Sequence, residues 1–178
     1  AADVDIRNVP AKALLDEDVT VLALAGAVGF VGLGAAVVEL YDTSVVQAAL
    51  GSVTTADAVT VLADADQDLT VETGQVSSGG GAFGASFARL TADGSVAATV
   101  LPGAQIGQKA GLTVGSLDVK SDSTLIAHNK TVAISSGGIA VSANFAFTDV
   151  TADVTASVGT TSDIDVTGIA SVKALAEH

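Results

Sequence analysis

Apolar and polar residues alternate strictly over long stretches of this chain. From Asp149 to Val158, every second residue (Val150, Ala152, Val154, Ala156 and Val158) is apolar and falls on one face. Ile139, Val141, Ala143, Phe145 and Phe147 do the same one strand earlier. Ile164 and Val166 follow, with Asp163, Asp165 and Thr167 facing out. A period of two, rich in Val and Thr, predicts β-strands. Polar signals at Asp42-Thr43, Asp93-Gly94 and Thr148-Asp149 punctuate the runs. Asp bonds its own backbone and Gly accepts positive φ, so both suit turns. The sequence leaves open whether these turns close hairpins or mark the corners of a winding chain.

The runs recur. Ser77-Ser78-Gly79-Gly80 returns 58 residues later as Ser135-Ser136-Gly137-Gly138, and Phe87-Ala88 returns as Phe145-Ala146. Val96 and Val100 likewise return as Val154 and Val158. Gly32–Leu50 runs parallel to Ala82–Val100, and Asp18–Ala23 (DVTVLA) echoes Ala58–Ala63 (AVTVLA). A degenerate period of this kind predicts a repeat architecture, divided as 18–57, 58–115 and 116–169 within one segment spanning 1–178. Inward candidates are mostly Ala, Val, Ile and Gly, which suits a narrow interior stacked rung on rung about 4.8 Å apart. A β-sandwich is the alternative, although its core of about 10 Å usually takes larger side chains. At about 20 residues per rung, the chain would supply about eight rungs.

Val21–Val38 contains 18 residues without a polar side chain, the length of a membrane-spanning helix. Its glycines at 26, 29, 32 and 34 match a helix-packing spacing. However, the run opens on the VTV motif that recurs at Val59–Val61, and its second half aligns with a stretch interrupted by Ser86, Arg89 and Asp93. No excess of flanking Lys/Arg accompanies it, and no basic leader precedes it. It is expected to form buried strands, without membrane insertion.

Composition narrows the partners. In 178 residues there are 20 Asp plus Glu against 7 Lys plus Arg, a net charge of −13, with 49% hydrophobic residues. That apolar content argues against disorder. The charge argues against nucleic acid and anionic membrane surfaces, which need basic stripes. The absence of Cys removes disulfides, thiolate chemistry and Cys-ligated zinc. Without Met even at position 1, the chain is expected to be a processed product or a piece of a larger protein.

Candidate chemistry is sparse. Asp64, Asp66 and Asp68, followed by Glu72, resemble the opening of a calcium loop and form the one metal candidate. The loop then places Leu69 where glycine is needed and Gln75 where a bidentate Glu is needed. Ser77–Gly81 is glycine-rich, but a strand pattern follows it rather than the helix of a phosphate cradle. His128 is the one internal histidine and sits in a polar stretch that reads as a surface turn; His178 ends the chain. Polysaccharide cleavage by paired carboxylates would need Asp residues gathered near Arg89 or Lys120. Most of the 16 Asp instead alternate with apolar residues on exposed strand faces or in turns. No Thr-x-Thr occurs, which counts against an ice-binding array. No enzymatic activity and no cofactor beyond calcium are expected.

VTVxA, a Gly/Ala-rich run such as Gly29–Val38, a turn, and then Val-x-Ala strands resemble the repeats of leukotoxin-type filamentous adhesins, which are filamentous-haemagglutinin-like. Gly79–Ala88 and Gly137–Ala146 carry the same cadence, and the resemblance runs from about Asp18 to Ile169. It implies a right-handed parallel β-helix (β-solenoid) inside a large secreted or surface-attached bacterial protein. The expected role is a structural, non-catalytic stalk or adhesive rod, located outside the cell or on the bacterial surface. Its partner would be a surface protein or glycan of a host or neighbouring cell, with end-to-end or lateral self-association at the open strand edges. A carbohydrate- or calcium-binding extracellular module is the alternative. The family's Asn-Thr and Asn-Asn turns appear here as Asp-Thr and Asp-Gly, and no site residue transfers from it.

Overall fold

The computed structural model describes residues 7–108 and 113–177, which leaves the terminal His178 outside the described residues. Among them the chain is all-β, and every strand pairing is parallel. Strands β1 (Asn8–Val28), β2 (Val31–Asp42) and β3 (Val45–Leu50) all lie along β4 (Ala56–Val100). β4 lies along β6 (Val114–Val158), and the start of β6 lies along β8 (Ala170–Glu177). β5 (Gln105–Ile106) and β7 (Asp163–Ile164) form a separate two-stranded sheet.

The register explains the echoes. Gly32 pairs with Ala82 and Leu50 with Val100, and the layer containing Glu17 precedes that of Gln67 by 50 residues. Ser77 pairs with Ser135, 58 residues on, and Phe87 with Phe145. From Val114 to Thr167 the return is 53 residues. The DVTVLA echo is different, because Asp18 pairs with Asp68 and Ala58 with Asn8. Layers of 50 to 58 residues replace the expected rungs of about 20. The described residues therefore build three layers and the start of a fourth.

Fully extended, the 45 residues of β4 would span about 150 Å. Ala65 and Val96 nevertheless line one cavity, and Gln75 lies against Gly84, so the element doubles back. Odd positions face inward up to Ser77, and even positions face inward from Ala82. That switch of parity falls on Gly79-Gly80-Gly81. A Cβ on Gly79 would strike the carbonyl of Gly29 in the layer before, and one on Gly137 would strike the carbonyl of Gly79. Successive backbones approach so closely at the bend that only glycine fits.

Each layer thus has two facing arms, 56–77 and 82–100 in the second layer. At their open end Val59, Val61, Ala63 and Ala65 pack with Val96, Ala98, Val100 and Ile106. Further along, Leu69 and Val71 pack with Ala88, Leu90 and Ala92. Burial of each such Val or Leu contributes about 1.5–3 kcal/mol. Nearer the bend the interior becomes small and polar, with Thr73, Gln75, Ser77 and Ser86 buried. A short third side lies at the open end, where Val53 bridges Ile106 and Ile106 pairs with Ile164.

The structure decides the turns that the pattern left open and places two apolar runs. Asp93-Gly94 and Thr148-Asp149 lie inside β4 and β6, and Asp42-Thr43 joins β2 to β3 along one parallel ladder, so none closes a hairpin. The Val21–Val38 run is strand on either side of a bend at Gly29-Phe30, but it is far from buried: Leu24 is 75% and Phe30 90% exposed. Ile139, Val141, Phe145 and Phe147 share a face, and that face is the outer one.

Candidate functional site

The alternation that builds the arms divides the outer surface into an acidic stretch and an apolar one. On the first arm Asp16 pairs with Asp66, Asp18 with Asp68 and Asp64 with Asp122, which stacks carboxylates in register across layers. Like charges placed side by side repel. Lys120 relieves part of this: its Nζ donates to Asp122 Oδ2 at 2.5 Å. The bond to Asp122 and the charge of Asp122 hold the Lys120 ammonium above the ordinary lysine pKa; burial opposes them, and the charges of Asp64 and Asp118 add a lesser push upward.

Asp64, Asp66 and Asp68 project from one outer face at alternate positions of β4. Among the described residues, no three His, Cys, Asp or Glu side chains come together in a group that could hold a metal ion. His128 is exposed in β6, on a strand rather than a turn, and pairs with Thr70. Ser77–Gly81 forms the bend between arms, and Ser77 is fully buried with its Oγ 2.9 Å from Ser135 Oγ.

A polar cluster that the alternation alone does not reveal lies inside the first two layers. Gln67, only 5% exposed, donates from Nε2 to Asp42 Oδ2 at 2.8 Å and to Glu17 Oε2 at 3.2 Å. Ser44 Oγ donates to both carboxylates, and its backbone N–H donates to Asp42 Oδ1 at 3.1 Å. Glu17 occupies an inward position of β1, and its interruption of the apolar series was the one sequence signal for this cluster.

Nearer the bend the outer face of the second arm turns apolar and aromatic. Leu33 stacks on Phe83 and then Val141, while Val37 stacks on Phe87 and then Phe145. The next outward column is Glu39, Arg89 and Phe147. The Phe87 and Phe147 rings meet diagonally between layers, with centroids 5.6 Å apart and planes tilted by 40°. Together with Arg89, Leu90, Thr148 and Asp149 they line a surface cleft. Arg89 is held with its Cζ 5.7 Å over the Tyr41 ring. From inside, Asn129 Nδ2 donates to the Phe147 carbonyl at 2.8 Å and to Thr148 Oγ1 at 3.2 Å, fixing the strand that carries the cleft wall.

An apolar floor edged by a guanidinium, a carboxylate and a hydroxyl offers stacking and directional hydrogen bonds in one place. The sequence singles out Arg89 as a cation beside which acids would have to gather; the structure sets it between Glu39 and Phe147 in the outward column, with Phe87 and Asp149 in the same cleft. The aromatic pair itself was hidden because residues 87 and 147 are neighbours only through the layer register. In comparisons with known proteins, no family model, curated protein or solved structure matches the chain.

Proposed function

We propose that this chain is a structural, non-catalytic segment of a large secreted or surface-attached bacterial adhesin, wound as a right-handed parallel β-helix that serves as a stalk or adhesive rod. The observation that carries the reading is the constant parallel register of β4 on β6, from Ala56 with Val114 to Val100 with Val158. A layer that presents its whole length as a pairing edge is a template for the next, which is how repeat proteins extend in one dimension. The small-residue interior and the acid-rich exterior support the same reading, because charged outer faces blunt unwanted lateral pairing. So does the resemblance of its VTVxA and Gly/Ala-rich phrases to filamentous adhesin repeats. Gold-labelled antibody against the chain, applied to intact cells of the organism that makes it, should decorate the cell surface or its thin projections. Label that appears only after permeabilisation overturns the proposal.

A further inference from the structure

The cleft between Phe87 and Phe147 has a composition that the stalk role does not require. Aromatic rings facing outward on a strand gain nothing from the core, and both walls are held by contacts behind them, Asn129 on one side and the Arg89–Tyr41 stack on the other. Six residues line the cleft. A protein–protein interface takes about 20–30 residues a side, so these six residues alone do not make one. An apolar floor with a few convergent polar groups is the pattern of a small-molecule site. The polar groups here are of both kinds: Arg89 donates only, Asp149 accepts only, and the Thr148 hydroxyl, which accepts from Asn129, has its proton to give.

We propose that this cleft binds one pyranose ring of a neutral glycan, with the C–H face of the sugar against Phe87 and Phe147 and its hydroxyls on Arg89, Thr148 and Asp149. The mixed rim matches adjacent sugar hydroxyls, each of which both donates and accepts. The net charge of −13 and the carboxylate of Asp149 in the cleft select against anionic sugars. This inference deepens the adhesive reading and rests on it for an extracellular source of glycan.

The test is saturation-transfer NMR on the intact chain with three probes: methyl β-D-galactopyranoside, methyl α-D-mannopyranoside and N-acetylneuraminic acid. Transfer to the carbon-bound ring protons of at least one neutral pyranoside is expected. Phe147→Leu, which keeps an apolar side chain and removes the ring, should weaken that binding by about 5-fold or more. Leu175→Ala, on the outer face of β8, should leave it unchanged. Circular dichroism checks the fold of each variant, and Asp149→Asn carries the test should Phe147→Leu fail to fold. Transfer to neither neutral probe, transfer to the acidic sugar alone, or binding indifferent to whichever cleft variant folds overturns the proposal. Any of these outcomes with an intact fold removes the glycan site and leaves the stalk reading standing.

Discussion

Ser77 and Ser135, one layer and 58 residues apart, share a hydrogen bond between side-chain oxygens at 2.9 Å. Ser135 Oγ also donates to the carbonyl of Val141 on the opposite arm at 3.0 Å. The contact therefore joins two layers and two arms at the point where the chain turns. Thr99 and Ser157 repeat the 58-residue pairing near the far end of the second arm, at 3.2 Å. Identical or similar side chains meet because the ladder places like on like.

The bend should tolerate a methyl group in one place and refuse it in another. In Gly79→Ala the new Cβ meets the Gly29 carbonyl, whereas in Gly26→Ala the nearest atom, the Val76 carbonyl oxygen, lies 3.9 Å away. Urea unfolding should show Gly79→Ala destabilised by about 1–3 kcal/mol. Gly26→Ala should stay within about 0.5 kcal/mol of the parent.

Leucines of opposite orientation offer a second contrast. Leu90 is 0% exposed between the arms, and Leu24 is 75% exposed on the outer face. Leu90→Ala should cost about 2–5 kcal/mol through lost burial and the cavity left behind. Leu24→Ala should cost no more than about 0.5 kcal/mol. Equal losses in thermal or urea unfolding would contradict the assignment of inner and outer faces.

Gln75 gives an expected gain. It is 1% exposed and wedged against the glycines at 34 and 84, and neither its Nε2 nor its Oε1 has a hydrogen-bond partner. An unpaired buried amide costs about 1–3 kcal/mol. Gln75→Met keeps the length of the side chain and removes both polar atoms, so the midpoint of urea unfolding should rise. A fall would mean that the amide is satisfied in solution.

Lys120 predicts an alkaline signature. Its pKa is raised by the Asp122 bond and the surrounding carboxylates, so its contribution to stability is fully present below the ordinary lysine pKa and is lost as pH rises through the higher folded value. The side chain is 38% exposed, which keeps the effect small and sensitive to salt. The stability difference between the parent and Lys120→Met should be flat near neutrality and shrink above about pH 10.4. A difference that grows with alkali would contradict the ion pair.

Strands were legible in the sequence because a period of two survives in every arm, and the 50- and 58-residue echoes contain the pairing register. Which face turns inward was not legible. Phe145 and Phe147 look like core residues by hydrophobicity, yet they stand outside because the parity switch across the glycines turns the even positions of the second arm inward. The length of a layer was also hidden, because burial alternates without a break from Val59 to Ser77 and the fold-back shows only as a parity switch across three glycines. The cleft of Phe87, Arg89, Phe147 and Asp149 depends on both, and neither residue spacing nor composition announces it.

The unequal returns of 50, 58 and 53 residues have a consequence for how such a chain tolerates change. Because both arms stay in constant register from layer to layer, all the variation in length is absorbed on the third side, between Leu50 and Ala56 in one layer and between Val100 and Val114 in the next. A residue added within an arm would invert every side chain downstream of it as far as the next bend. One added on the third side only lengthens a seam. That seam is where foreign peptides can be grafted, and where lineages of such proteins are free to diverge while their walls stay aligned.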